Sequence, residues 1–503
     1  MNNSEFINTV INYKILVSLL LLLFTISWAQ AIDSAYSKHR LPEIINSFQP
    51  TIIPVISPDG GKLYFDRKYH PDNSGSLKDA DEIWYSSYNG QSWTMPLPIG
   101  KPLNNPESDV LFNFYPDAKS ALFYNSYLAD SANQNSYAIY QKLGSKWVFT
   151  NKINLKNYTN KSDHFFGNIS RDARTLIFAA ENENSFGKLD LFMSDKLYNN
   201  NSWSEAINLG ITINSIENEG SPFLAWDRKT LYFTSEGHNG LGGFDIFMSK
   251  ALNDSLSKWS APVNLGSAFN TKFDENSLSI SALGDTIYFV SYDDAVKREG
   301  IYFAVLPEKF RPSPYIILNV KFITKSNKTI KSTQLSIKNS DGSLFLTDEV
   351  DDEYTCVLDS GKEYVININS NGFEAQSLKY STGALNKSER RNLIFELKEK
   401  EVLQALLLNI YFDYNKYEPD EKSSNLLKTM VTANKNIAKI IGFADLSGSA
   451  KYNLKLSELR ANYIAEYLRN YGFKIAAIEF RGSSNAKAEN NTDDRRVEIY
   501  WEK

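Results

Sequence analysis

Five times between residues 45 and 310 a short polar turn gives way to a run of apolar and aromatic residues. The first is Ser57-Pro58-Asp59-Gly60-Gly61-Lys62-Leu63-Tyr64-Phe65. The second passes from Tyr115-Pro116-Asp117-Ala118 into Ala121-Leu122-Phe123, and the third from Ser170-Arg171-Asp172-Ala173 into Leu176-Ile177-Phe178. The fourth passes from Trp226-Asp227-Arg228 into Leu231-Tyr232-Phe233, and the fifth from Gly284-Asp285 into Ile287-Tyr288-Phe289. The closing phenylalanines fall at 65, 123, 178, 233 and 289, spacings of 58, 55, 55 and 56 residues. A second strand-like run follows each, at 82–85, 137–140, 189–192, 244–247 and 300–303, and in the first four a tryptophan comes next (Trp93, Trp147, Trp203, Trp259). Turns of this kind between short alternating runs predict hairpins. The period accommodates four strands, and such a unit buries both faces only when neighbours stack around an axis. The pattern predicts an all-β propeller of five blades over residues 32–310, with a sixth, degenerate blade as the alternative. Asp59, Asp117, Asp172 and Asp227 read as turn formers whose carboxylates cap local backbone, not as catalysts.

The pattern changes at Arg311-Pro312-Ser313-Pro314, a linker. Short alternating runs follow at 315–320, 335–338, 355–358 and 363–368, with turns at 339–342 and 359–362. They predict a small β-sandwich over 312–398. From Asn409 the period switches again. A strand at 410–414, a helix at 418–433, a strand at 438–443, a helix to about residue 470 and strands at 478–480 and 496–500 predict an α+β layer over 400–503. In the long helix Ala461, Ile464, Ala465 and Leu468 share one apolar face.

Composition narrows the possibilities. At 503 residues the chain holds several domains, and an aromatic fraction of 13% favours strands. A net charge of -5 gives no electrostatic footprint for nucleic acid. The single cysteine, Cys356, excludes an intrachain disulfide and reads as a small buried apolar residue. His39, His70, His164 and His238 lie in separate segments, and none sits in a nucleophile-elbow or metal-ligand motif. No catalytic residue, metal or cofactor is therefore expected. The run Asn239-Gly240-Leu241-Gly242-Gly243 follows no βαβ pattern and is read as a blade loop. Residues 1–31 read as a signal peptide: Lys14 precedes an apolar run at 15–26 too short to span a bilayer, and Ala29-Gln30-Ala31 offers a cleavage site. No cysteine follows the run, so lipid attachment there is not expected.

Three resemblances sharpen this reading. The repeated S-P-D-G-x-x-L-Y-F run resembles WD-repeat-like propellers of the TolB type. Gly361-Lys362-Glu363-Tyr364 and Gly372-Phe373 resemble the carboxypeptidase-regulatory-like domain, which implies a spacer or interaction module. The third lies at the C-terminus. Tyr411-Phe412-Asp413-Tyr414-Asn415-Lys416, Gly442-Phe443-Ala444-Asp445, Gly448-Ser449, Tyr452-Asn453, Leu456-Ser457-Glu458-Leu459-Arg460-Ala461 and Asp494-Arg495-Arg496-Val497 resemble the OmpA C-terminal-like, peptidoglycan-binding family. That resemblance implies that Asp445 and Arg460 hold diaminopimelate of the peptide stem, with Asn453 and Tyr452 shaping the pocket. The chemistry suits the ligand, whose ammonium and carboxylate share one carbon. A fixed carboxylate pairs with the first and a planar guanidinium grips the second. Three positions depart from the family pattern: Ala444 for a threonine, Leu459 for an arginine and Asp494 for an asparagine. The order of modules resembles envelope proteins of gliding and type IX secretion systems. This implies a non-enzymatic periplasmic anchor associated with the outer membrane, with an outer-membrane or secretion-system protein docked on the propeller. The alternatives are a propeller that binds a glycan or small ligand, or a propeller hydrolase using carboxylates at its axis.

Overall fold

The computed structural model describes residues 36–79, 81–104, 109–125, 136–144, 146–156, 158–197, 202–325, 330, 332–400, 404–430 and 436–502. The expected signal peptide lies outside them. Two compact units result, Met1–Asn371 with Ala375–Leu397, and Gly372–Glu374 with Lys398–Lys503.

A two-residue strand, β1 (His39–Arg40), precedes the repeats. Each of the first four repeats then folds as one antiparallel sheet of four strands in chain order. Blade 1 is β2 (Thr51–Ile56), β3 (Lys62–Arg67), β4 (Glu82–Ser87) and β5 (Leu97–Pro98). Blade 2 is β6 (Asp109–Phe114), β7 (Ser120–Asn125), β8 (Ser136–Leu143) and β9 (Lys146–Lys152). Blade 3 is β10 (Phe166–Ile169), β11 (Thr175–Ala180), β12 (Asp190–Asp195) and β13 (Ile207–Asn208). Blade 4 is β14 (Glu219–Leu224), β15 (Thr230–Ser235), β16 (Asp245–Lys250) and β17 (Val263–Asn264). Blade 5 has three strands from its own repeat, β18 (Glu275–Ile280), β19 (Thr286–Asp293) and β20 (Arg298–Val305). Its fourth is β1, with His39 opposite Phe303 and Arg40 opposite Tyr302. The innermost strands β2, β6, β10, β14 and β18 touch in turn, and β18 returns to β2. The expected five-bladed propeller is thus a closed ring, fastened by the start of the described chain.

The repeated aspartates do what turn chemistry requires. Asp59 accepts from the Ser57 hydroxyl at 2.6 Å and the Gly61 amide at 2.9 Å. Asp227 accepts from the amides of Lys229 and Thr230, both at 2.9 Å, and from the Thr230 hydroxyl at 2.7 Å. A second repeated device was not read from the sequence. The buried amides of Asn104, Asn214 and Asn270 each bond both the N–H and the C=O of one strand residue, Ile83, Leu191 and Ile246 respectively. In blade 5 the same role falls to Asn46, on Ile301. Side chains also tie blades 2, 3, 4 and 5 in succession, each to the next one period away. Asn113 bonds the N–H and C=O of Ile169, Asn168 accepts from Leu224, and Ser221 accepts from Ser277.

The sandwich belongs to the same compact unit as the propeller. Its strands are β21 (Tyr315–Ile323), β22 (Thr333–Asn339), β23 (Leu344–Val350), β24 (Glu353–Asp359), β25 (Glu363–Asn369), β26 (Gln376–Ser381) and β27 (Glu389–Glu396). One sheet runs β24-β21-β27, with β21 and β27 parallel; the other runs β23-β22-β25-β26. Strands β23, β26 and β27, which are largely exposed, are absent from the sequence reading. Strand β21 is buried almost throughout. Its Tyr315 and Ile317, with Val357, pack on Trp226 and Ala282 of the propeller. The Tyr315 hydroxyl donates to the Ala282 carbonyl at 2.8 Å, Arg171 pairs with Asp359 at 2.9 Å, and the Ser313 amide donates to Asp227 at 2.8 Å. Gly284 has φ +73°, and a Cβ there would meet Pro312 at 2.4 Å, so the linker lies against this turn.

The C-terminal unit contains β28 (Gln404–Tyr411), α1 (Glu421–Met430), β29 (Asn436–Gly442), α2 (Ala450–Asn470), β30 (Lys474–Phe480) and β31 (Arg496–Glu502). The sheet order is β28-β31-β29-β30, so the last strand inserts at the centre. Helix α2 packs Ala461, Ile464, Ala465 and Leu468 on the core formed with Ile410, Ile440 and Val497. Helix α1 starts three residues later than expected because Asp420 caps it, accepting from the Ser423 amide at 2.7 Å. Its expected end near 433 lies outside the described residues.

Candidate functional site

The site expected in the C-terminal unit is assembled where β29, α2 and the turns after β28 and before β31 meet. Gly442 ends β29 with the helix pressed on it: a Cβ there would lie 2.1 Å from the Ser457 carbonyl oxygen. Three residues on, the chain delivers Asp445 into a loop that Ser449 closes by capping α2, its side chain accepting from the Tyr452 amide. Asn453 stands one residue deeper in the helix and is buried. Its amide donates to the carbonyls of Asp445 at 2.8 Å and Gly448 at 3.0 Å. Asn453 therefore holds the loop that carries Asp445.

Asp445 is itself buried and accepts from the Ser447 amide at 3.1 Å. Its other oxygen pairs with Arg495 Nη1 at 3.0 Å. Arg495 is fixed from below, donating to the Phe412 carbonyl at 3.1 Å and the Thr492 hydroxyl at 3.1 Å. Sequence reasoning quoted Arg495 within the Asp-Arg-Arg-Val run but gave it no role; a charged pair standing just before a central strand was the available signal.

Arg460 has no exposed surface. Its guanidinium stacks over Phe412 at 5.0 Å. It donates to three backbone carbonyls, those of Lys416 at 2.8 Å, Phe443 at 3.0 Å and Asp413 at 3.4 Å. Those bonds use three of its five N–H groups and set the plane of the fork. Burial pulls its pKa down to about 10, Asp445 opposing and Arg495 adding to the shift, so it is cationic at neutral pH. Asp445 and Arg460 sense each other electrostatically, but the carboxylate's direct ion pair is with Arg495. Tyr452 is half exposed, and its hydroxyl donates to Asn415 across the rim.

The three departures from the family pattern have distinct consequences. Asp494 is buried and one of its oxygens accepts from the amide of Lys487 at 2.7 Å, that of Ala488 at 3.3 Å and the Asn491 side chain at 2.9 Å, organising the loop beside the site. Leu459 is exposed by 41%, on the outside of the helix. Ala444 is buried and brings no hydroxyl.

Ile53, Val55, Phe112, Phe166, Phe223 and Leu278, from all five innermost strands, line a space of about 20 Å³, room for about one water. Among the described residues no group of three histidine, cysteine or carboxylate side chains is placed to hold a metal. Cys356 is buried, and burial raises its thiol pKa to about 12.

The C-terminal unit thus defines a small α+β domain with a buried carboxylate and two buried guanidinium groups beneath a loop rim. Residues 411–499 match the sequence model of the OmpA family, so this unit carries an OmpA family domain. Outer membrane protein 40 of Porphyromonas gingivalis (strain ATCC BAA-308 / W83) is 38% identical over 94 residues, which cover 18% of this chain and 25% of that protein. The chain therefore spans about a quarter of the length of that relative. The peptidoglycan-associated lipoprotein from Burkholderia pseudomallei shares 26% identity over 18% of this chain and 88% of its own, with a TM-score of 0.17. TolB from Acinetobacter baumannii shares 12% identity over 68% of each chain, with a TM-score of 0.29.

Proposed function

We propose that the protein is a non-enzymatic periplasmic anchor, associated with the outer membrane, that grips peptidoglycan through its C-terminal unit. In this reading the ligand is diaminopimelate of the stem peptide: Asp445 takes the ammonium and Arg460 the carboxylate, while Asn453 and Tyr452 shape the site. The observation that carries the reading is the buried, pre-oriented charge set of Asp445 and Arg460 inside an OmpA family domain. Burial of charge without full pairing to side chains is costly unless a ligand or backbone completes it. Arg460 keeps two N–H groups beyond its three carbonyl bonds, enough for a bidentate grip on a carboxylate once the loop rim parts to uncover the buried guanidinium. Arg495 positions Asp445, the one direct ion pair that the carboxylate makes among the described residues.

In the same reading the propeller docks a partner. That partner is an outer-membrane or secretion-system protein, as in the gliding and type IX secretion assemblies that the module order resembles.

The test is binding of the full chain to purified sacculi. Sacculi with diaminopimelate stems should retain the protein, and a soluble diaminopimelate tripeptide should release it. Lysine-type sacculi lack the second carboxylate and should bind about tenfold more weakly or worse, the loss of one charge-assisted contact. Asp445→Asn and Arg460→Lys should each lower retention by a similar factor, with circular dichroism checking that the domain stays folded. Equal binding to both kinds of sacculi, with no release by the tripeptide, would refute the assigned pocket.

A further inference from the structure

The propeller and sandwich enclose a cleft of about 1110 Å³ that none of the roles above uses. One wall consists of blade turns, including Asp117, Lys119, Arg171, Arg174 and Arg228. The other is the β23–β24 hairpin of the sandwich: every residue of β23 lines the cleft. A strand whose successive side chains point to opposite faces lines a space along its whole length only when its edge faces that space. Strand β23 is the terminal strand of its sheet, bonded to β22 alone among the described residues. Its outer row of N–H and C=O groups is therefore open to pairing.

Charge says what suits that edge. On the blade wall the cations are largely consumed: Lys119 pairs with Glu353 at 2.8 Å, Arg171 with Asp359 at 2.9 Å and Arg228 with Asp172 at 2.8 Å. On β23, Asp348 and Glu349 are exposed and make no ion pair among the described residues. Acidic side chains on an edge also discourage sheet-to-sheet aggregation. Here the blade wall stands opposite the edge across the cleft.

We propose that the free edge of β23 accepts one extended, cationic segment of a partner protein as an added strand within this cleft. Main-chain bonds supply the hold, and Asp348 and Glu349 select lysine or arginine side chains. The site goes beyond the wall-binding reading and does not depend on it.

The test uses the full chain and a labelled, end-capped nine-residue peptide of valine with two adjacent lysine pairs, which puts cations on both faces of an added strand. Controls are the same peptide with glutamate for lysine, and one N-methylated at alternate backbone amides. Fluorescence anisotropy should show saturable binding of the lysine peptide, weakened at least tenfold both by glutamate and by N-methylation. D348K/E349K changes two exposed side chains and should reverse the preference between the charged peptides. Hydrogen exchange should show new protection at 344–350. The proposal is overturned by absent saturable binding, by equal binding of the N-methylated peptide (which would indicate charge attraction alone), by an unchanged preference in the double variant, or by protection confined to another region.

Discussion

Asp66 lies on β3 with its carboxylate buried, and one of its oxygens has no hydrogen-bond partner among the described residues. Burial first, then Asp81 and Asp109, push its pKa well above the ordinary value, with Lys68 opposing. The unfolded chain titrates near pH 4. Between that pH and the raised folded value the folded state binds more protons, so stability falls as pH rises through the window and is greatest below it. Asp66→Asn removes the penalty of ionising a buried acid. Calorimetry should show a higher Tm at pH 7.5, by roughly 2 °C or more if about 1 kcal/mol is recovered. The pH dependence between 4.5 and 7.5 should flatten as well; an unchanged or lower Tm at pH 7.5 would count against the buried-acid account. At this scale the candidate site was legible by motif, since Asp445, Arg460, Asn453 and Tyr452 stand in matching runs. What their side chains bond was not. Asp445 pairs with a residue 50 positions away, and no local spacing encodes such a contact.

Among elements, the repeated asparagine is the informative case. Asn104, Asn214 and Asn270 follow a glycine at a constant distance, Gly100, Gly210 and Gly266, with Leu103, Ile213 or Phe269 just before the asparagine. That signature was present in the sequence but is outweighed there by the aromatic runs. Asn46 follows Ile45 in the same way without the glycine, and supplies the equivalent bonds to blade 5 from the opposite end of the propeller. Replacing Asn46 by Ala leaves the buried N–H and C=O of Ile301 without their partner. The expected cost is about 1–3 kcal/mol, read as a lower denaturation midpoint and faster proteolysis of residues 36–50. Asn270→Ala should cost a similar amount while leaving the N-terminal strand protected. An Asn46→Ala protein as stable as the parent would show that β1 alone closes the ring.

For the larger unit as a whole, the sandwich is docked and is not a loosely tethered spacer. The linker is held by Asp227, Gly284 packs against Pro312, and Tyr315 and Ile317 lie on Trp226 and Ala282. The continuous apolar run from Tyr315 to Leu318 is what a strand buried on both faces requires. Proteinase K applied to the native protein should therefore leave the link at 311–314 intact, and residues 36–397 should unfold in one cooperative transition. Early cleavage at 311–314, releasing an independently folded sandwich, would contradict a docked module.

By itself the sequence determined the elements that repeat or alternate locally: the aromatic strands and turns of five blades, the switch to helical period after residue 409, and the residue types of the OmpA family motif. These signals lie within a few residues of one another, where backbone geometry imposes a period on burial. Only the tertiary structure decided that β1 completes blade 5, that β31 enters the centre of the last sheet, that Arg495 holds Asp445, and that an exposed edge strand lines a cleft against the blades. Each of those depends on contacts between segments remote in the chain, whose partners are selected by packing and by the need to satisfy buried polar groups.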